Sequence, residues 1–447
     1  MRLLSACALP LFLIASAATA QTTAPTSPPT ASATPIVASK ALQDRAKEVV
    51  ALLGGKGDYD AIFAPAFREK VPKATFDAVT ARLSGGGGAV TGIEQLIADT
   101  PDRGTLLVGY ARGIATMRIE VEAAEPHQVV GLLVTGMAAR EASLDAILAA
   151  LATLPGTTGF ALARLGGAAP ATILAREPDR AFAIGSAFKL VILSELVREV
   201  TAGERHWDDL VTLDGTPLPG GLYAAKPTGT TVSIRELATQ MISVSDNSAT
   251  DILLRTLGRE KVEAMLPVVG FHAAARDRPF LSTLDMFKLK GVAGGALGAR
   301  YLALDEKGRR ALIEGEVRNT PVSAIDPKLF ANGKPQSIDT IEWFASPLDL
   351  VRVMDWLRRN TETGPAAEAR AILAKNSGVG PAVAGAWRFL GYKGGSEPGV
   401  INMTFLLQGK DGGWYALAGS WNDTATQVDD SRFASLMGRA VELAAPR

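Results

Sequence analysis

Cysteine is almost missing from this 447-residue chain; Cys7 is the only one. That count argues against a disulfide scaffold, a thiolate metal site and thiol redox chemistry. Histidine is nearly as scarce, with only His127, His206 and His272, which leaves no histidine-rich metal site either. Neither sign of charge is in excess, since Lys+Arg and Asp+Glu are both 46. A chain whose main partner is nucleic acid or an anionic membrane surface carries a basic excess, so neither partner is expected. Beyond the first twenty residues no segment offers the roughly 18 uncharged apolar residues of a membrane span. What is plentiful is core material. Apolar residues are 47% and charged residues 21% of the chain, enough for two or three packed domains.

The chain begins with Arg2, an apolar run from Leu3 to Ala17, and Ala18-Thr19-Ala20 ahead of Gln21. A positive start, a short apolar stretch and an A-x-A step are the layout of an export signal. Leu4-Ser5-Ala6-Cys7 is not read as a lipoprotein box, because the apolar region follows Cys7 instead of preceding it. Loss of residues 1–20 leaves a near-neutral chain without cysteine, expected to be periplasmic or secreted and without stable membrane insertion. Residues 21–39 are mainly Thr, Pro, Ala and Ser without periodicity, a flexible tether.

From residue 40 the pattern changes. Helices are expected over 41–53, 59–67 and 74–83, the last stopping at the glycine run Gly85 to Gly88. Strands follow over 104–113, 115–124 and 127–136, with His127 packed on the last of them. Helices followed by an antiparallel meander give a small α+β domain over 40–137. A second domain, residues 144–447, opens with strands over 159–165 and 171–177. Helices then dominate, beginning with 189–200, until strands at 402–410 and 413–421 and a closing helix at 433–444. Strands from both ends of this domain form one sheet between helices.

Ser186-Ala187-Phe188-Lys189 is an S-x-x-K at the start of an apolar helix. On a helix, positions three apart share a face, which brings a lysine to a serine hydroxyl. A serine hydroxyl needs such a neighbouring base to become a nucleophile, and a lysine serves only where its surroundings favour the neutral amine. Gly185 lets the chain turn so that Ser186 lies near free N–H groups at the helix start. Ser245-Asp246-Asn247 joins two helical segments and, taken singly, reads as a helix cap. Lys393-Gly394-Gly395-Ser396 precedes the strand at 402–410 and, taken singly, reads as a solvated turn. Lys410-Asp411-Gly412 is a plain turn between strands. The glycine cluster over 291–298 lacks a preceding strand and a G-K-S/T, so it is a flexible loop and no phosphate cradle. With no G-x-S-x-G elbow present, a Ser-His-Asp hydrolase is the poorer reading.

S-x-x-K, S-D-N and K-x-G in that order, with the helical stretch 231–258, resemble the penicillin-recognising serine hydrolases, and most closely the class A β-lactamase family. With its small N-terminal α+β domain, the chain is similar to two-domain proteins of clavam biosynthesis clusters, whose first domain is isomerase-like. The resemblance implies an α/β sandwich of the β-lactamase/transpeptidase type, an antiparallel sheet flanked by helices, preceded by that small domain. It implies no cofactor and no metal, and a small-molecule substrate: a β-lactam, an ester or a cell-wall peptide. Ser186 is then the acylated nucleophile, Lys189 its base or relay, and Ser245 the donor to the leaving nitrogen. Asn247 holds Lys189 and substrate, and Lys393 supplies positive potential. The N–H groups of Ser186 and Ser396 form the oxyanion hole beside Gly395, and Tyr223 walls the pocket.

Two positions depart from the family's pattern. The hydroxyl residue of K-T-G or K-S-G is Gly394 here, and Ser396 is its partial substitute. The loop ahead of Ser346-Pro347 holds no E-x-x-L-N for the deacylating water; Asp326, Asp339 and Glu342 are its only carboxylates. Three functions follow: a β-lactamase-like hydrolase, an esterase or D,D-peptidase-like enzyme with poor β-lactam turnover, or a catalytically silent binding protein. The 40–137 domain is expected to be structural or substrate-gating. An insertion around 273–317 adds helices near the pocket rim.

Overall fold

The computed structural model describes residues 37–272 and 274–446; the expected export signal and residues 21–36 of the tether lie outside them. The chain divides at Met137/Ala138 into two units.

In the first unit α1 (Lys40–Leu53) buries Leu42, Ala46, Val49, Val50 and Leu53, one apolar stripe at helical spacing. The single helix expected over 59–67 is two, α2 (Tyr59–Ile62) and α3 (Pro65–Lys70), with Phe63 and Ala64 extended between them. Pro65 disfavours helical backbone at the residue before it and opens the next helix instead. Helix α4 (Lys73–Gly87) runs on through three of the glycines that were expected to stop it. Gly87 belongs there for packing: a Cβ would lie 2.9 Å from Tyr110 and from Met137. The helix ends at Gly88, whose φ of +81° suits glycine. A four-stranded antiparallel meander follows: β1 (Val90–Thr100), β2 (Arg103–Tyr110), β3 (Gly113–Val121) and β4 (Val129–Ala139). Sequence pattern anticipates β2 to β4 and misses β1, a half-exposed edge strand without alternation. His127 lies in the turn before β4, not on the strand, with Nδ1 3.0 Å from the Glu122 carbonyl.

In the second unit α5 (Leu144–Ala152) leads into β5 (Thr157–Leu165), β6 (Ala171–Arg176) and a short β7 (Phe182–Ala183). A 3-10 turn (Gly185–Phe188) passes directly into α6 (Lys189–Thr201). Helix α6 is apolar on most sides and buried along nearly its whole length, as a helix through a core must be. The pair β8 (Leu210–Thr212) and β9 (Thr231–Ser233) precedes α7 (Ile234–Ser243), α8 (Asn247–Leu257) and α9 (Arg259–Val268). The insertion forms α10 (Thr283–Gly291), α11 (Ala296–Leu302) and α12 (Glu306–Leu312). Its glycine cluster is no loose loop. It is the tight α10–α11 connection, with Gly294 and Gly295 at positive φ and a Cβ on Gly298 only 2.6 Å from the Leu289 carbonyl oxygen.

Strand β10 (Phe344–Ala345) pairs with β7, and α13 (Pro347–Asn360), α14 (Ala367–Leu373) and α15 (Pro381–Ala384) return the chain to the sheet. The closing elements are β11 (Phe389–Glu397), β12 (Val400–Gln408), β13 (Trp414–Asn422) and α16 (Asp430–Leu443). The sheet is antiparallel in the order β11-β12-β13-β5-β6. Ile147, Leu151, Phe433 and Leu436 cover one face, from α5 and α16. On the other lie Leu190, Leu193, Leu350 and Val353, from α6 and α13. Each such burial is worth about 1.5–3 kcal/mol. This places α6, and the turn that opens it, in the middle of the larger core.

Candidate active site

Ser186 is the one half-exposed residue in the otherwise buried run from Phe182 to Leu193. The turn that presents it is fixed from behind. The Ile184 N–H donates to the Trp343 carbonyl at 3.0 Å, and Phe188 stacks on Trp343 with ring centroids 3.6 Å apart. Asn422 holds Ala183 on both sides, its Oδ1 accepting from the N–H at 2.8 Å and its Nδ2 donating to the carbonyl at 3.0 Å. In the first turn of a helix the leading N–H groups have no intrahelical partner, which leaves the Ser186 N–H for another acceptor.

Lys189, three residues on, is fully buried. Its Nζ donates to the Ser245 carbonyl at 2.6 Å, to Asn247 Oδ1 at 2.8 Å and to Ser245 Oγ at 3.1 Å. Lys393, 3% exposed, donates to the same Ser245 Oγ at 3.0 Å. One hydroxyl thus bridges two buried lysines, an arrangement through which a proton can pass from one nitrogen to the other. Ser245 presents that hydroxyl from a left-handed backbone, φ +61°, rare for a residue with a side chain.

The cap expected of the S-D-N segment exists as well, and Asp246 supplies it. Asp246 Oδ1 accepts from the Ala249 N–H at 2.8 Å and from Ser248 Oγ at 2.5 Å, and its Oδ2 accepts from the Leu222 N–H at 2.6 Å. The middle residue anchors the loop, and Ser245 and Asn247 on either side face the lysine. Tyr223 is corrected by the structure. Its ring is 3% exposed and its hydroxyl donates to Glu236 Oε1 at 2.8 Å, so it does not wall a pocket. Burial first, and the Glu236 carboxylate second, push its phenol above the usual range. Its backbone N–H donates to Ser248 Oγ at 3.0 Å, so it props the S-D-N loop from outside.

Lys393-Gly394-Gly395-Ser396 lies inside the edge strand β11, not in a turn ahead of a strand. FLGYKGGSE hides that strand from pattern reading, because charge and three glycines interrupt its alternation. Gly395 is where β11 meets the Ser186 turn. A Cβ there would lie 2.1 Å from the Ile184 carbonyl oxygen and 2.4 Å from the Ser186 nitrogen. Across the same crossing, a Cβ on Gly185, at φ +47°, would lie 3.0 Å from the Ser396 nitrogen. Two glycines therefore let the backbones touch and bring the N–H groups of Ser186 and Ser396 to one place. Gly394 has its own reason. A Cβ there would lie 2.1 Å from Tyr392 Oη, so the phenol occupies the volume in which a serine or threonine side chain would stand.

Of the carboxylates ahead of Ser346-Pro347, Glu342 is engaged elsewhere. Asp326 and Asp339 are exposed, and Glu342 is buried against Lys290. The buried set Lys290, Glu342 and Glu397 escaped sequence reasoning; its one local signal is a glutamate directly after Ser396. Among the described residues no group of three or more His, Cys, Asp or Glu is placed to hold a metal ion. None of the described helices is long and apolar enough to cross a membrane.

Residues 140–314 match the model of the Beta-lactamase enzyme family. Solved structures similar to this chain include a β-lactamase from Sphaerobacter thermophilus, 20% identical, covering 66% of this chain and 94% of that one, with a TM-score of 0.44. A β-lactamase from Chitinophaga pinensis is 17% identical, covering 67% and 96%, with a TM-score of 0.45. PBP-A is 16% identical, covering 67% and 92%, with a TM-score of 0.44. No curated protein matches the chain. The second unit has the β-lactamase/transpeptidase-type fold, an antiparallel sheet flanked by helices, and residues 140–314 of it match the Beta-lactamase enzyme family.

Proposed function

We propose that the second unit is a serine hydrolase that opens a β-lactam, or a related amide or ester, through an acyl-enzyme on Ser186. The observation that carries this reading is the Ser245 hydroxyl held by Lys189 and Lys393 beside the Ser186 turn. Lys189 takes the Ser186 proton as Oγ attacks the carbonyl carbon. The N–H groups of Ser186 and Ser396 receive the developing oxyanion. Ser245 then delivers a proton from the lysine pair to the leaving nitrogen or oxygen, and Lys393 attracts a substrate carboxylate. Water hydrolyses the ester on Ser186 and returns the enzyme.

A second reading is favoured by the engagement of Glu342 with Lys290, which takes the one buried carboxylate of that loop away from the water. Toward a β-lactam the enzyme then acylates faster than it deacylates, which is an esterase or D,D-peptidase-like enzyme with poor β-lactam turnover. The charged start, apolar run and A-x-A step support export to the periplasm or medium. Antibiotic resistance follows only if a β-lactam is the substrate turned over. Residues 40–137 act in this reading as a structural or substrate-gating module.

Intact mass against time for residues 21–447 with a penicillin, alongside Ser186→Ala, tests the reading. Drug consumed with a transient adduct, and nothing consumed by the variant, is the β-lactamase outcome. A persistent adduct on Ser186 supports the second reading. An intact drug and an unmodified Ser186, repeated with an activated ester, would leave a binding protein.

A further inference from the structure

Side chains alternate along a strand, so Lys393, Gly395 and Glu397 point to one side of β11. Lys393 reaches Ser245 and Gly395 lies on Ser186; Glu397 is the next member of that row. Its side chain is 8% exposed, and Oε2 has no hydrogen-bond partner. Oε1 accepts from Lys290 Nζ of α10 at 2.5 Å, and the same ammonium donates to Glu342 Oε1 at 3.1 Å. The side chains of Lys290 and Glu342 are fully buried. Glu342 sits directly before Trp343, the residue whose carbonyl and ring hold Ile184 and Phe188. The cluster therefore ties the Ser396 end of β11 to the segment that supports Ser186 from behind.

We propose that Lys290, Glu342 and Glu397 are positioning residues that fix the separation between the Ser396 and Ser186 N–H groups. The inference rests on the hydrolase reading of Ser186 and adds what holds its oxyanion site at the right width. Burial, then the Glu342 charge, push the Glu397 carboxyl well above its ordinary range, against the opposing pull of Lys290. Burial works to lower Lys290, but the two glutamates outweigh it and hold it above its usual value. Asp277, also pushed up by burial, lies near enough to feel the Glu342 charge, and its Oδ1 accepts from the Phe344 N–H at 2.8 Å. One ammonium between two buried carboxyls leaves an unpaired negative charge once both ionise, so the cluster is tightest while Glu397 keeps its proton. A raised carboxyl contributes stability that is complete below its unfolded value and is lost as pH rises through its folded value. The clamp loosens toward alkaline pH.

The test measures kcat and KM across pH for the full chain with a chromogenic β-lactam or a nitrophenyl ester. A Lys290→Met chain is expected to lose about 100-fold in kcat with KM within about threefold, since a misplacement of about 1 Å costs that much. Lys290→Arg should recover part of the loss. Glu397→Gln, neutral at every pH, should remove the part of the alkaline fall of kcat that Glu397 ionisation causes, so that the limb moves upward. A folded Lys290→Met chain with wild-type kcat, or an unmoved alkaline limb in Glu397→Gln, overturns the proposal. Amide hydrogen exchange along β11, which pairs with β12, gives a reading independent of turnover, and Glu397→Gln serves it if Lys290→Met does not fold. Wild-type protection that falls with alkaline pH, beyond the intrinsic rate, and persists in Glu397→Gln supports the clamp; equal protection in both at every pH overturns it. A wild-type chain that neither turns over substrate nor forms an adduct sinks the hydrolase reading, and the exchange data still decide the clamp.

Discussion

The sharpest test of the site geometry is one methyl group on Gly395. In Gly395→Ala the new carbon would stand 2.1 Å from the Ile184 carbonyl oxygen and 2.4 Å from the Ser186 nitrogen. Ordinary contacts of this kind need about 3.3–3.5 Å, so about 1 Å of separation has to be found. Both neighbours are backbone, and neither can rotate aside. The strand must lift from the Ser186 turn, taking the Ser396 N–H with it. Overpacking of this sort costs about 1–3 kcal/mol, which for a unit of this size lowers Tm by about 2–10 °C. Loss of one aligned oxyanion donor costs about 10²–10³ in kcat. The expected result is a folded chain with kcat down at least 100-fold and KM within about threefold, because the donor acts on the transition state and not on bound substrate. Steady-state kinetics with circular dichroism and thermal unfolding provide the assay. Gly391→Ala on the same strand, whose Cβ would lie 3.1 Å from Leu373 Cβ, is the control and should affect stability more than kcat. A folded Gly395→Ala chain with kcat within threefold of wild type would refute the argument that this crossing sets the oxyanion site.

Two further substitutions probe the surroundings. Gly394→Ser drives a side chain into Tyr392 Oη, and the ring has no easy retreat because it packs on Gly378 and Phe405; a loss of about 1–3 kcal/mol in chemical denaturation is expected, partly recovered by adding Tyr392→Leu, and strict additivity of the two would contradict the packing. Asp246→Ala removes the α8 cap and the acceptor for Leu222 together, so unfolding should cost about 2–4 kcal/mol less and kcat should fall about tenfold as Ser245 drifts from Lys189, while a loss under about 0.5 kcal/mol would show the cap to be dispensable.

How much of this was legible in the chain varies with the range of the interaction responsible. The stripe of α1, the buried run of α6 and the alternation of β5 are local periodicities, and each was readable as a helix or a strand. The strand β11 was not, because glycines and a lysine break the alternation while its place in the sheet comes from pairing with β12. Helix α4 outran its expected end for a similar reason. Glycine weakens a helix locally, yet Gly87 is the only residue that fits against Tyr110 and Met137. Tyr223 was misjudged because nothing near it in sequence announces Glu236 or Ser248 as its partners.

For the site, the order S-x-x-K, S-D-N, K-x-G named Ser186, Lys189, Ser245, Asn247 and Lys393, because side-chain type and short spacing are written in the sequence itself. Fold class was likewise legible, from strands at both ends of the second domain and from the resemblance those motifs carry. Tertiary structure alone decided that Lys189 and Lys393 meet at one hydroxyl, since their hydrogen bonds to Ser245 span 56 and 148 residues of chain. It alone showed why Gly394 lacks a side chain, and that Lys290, Glu342 and Glu397 share one buried space across 107 residues. Contacts of that range are made by packing, and packing fixes a distance that no local pattern encodes.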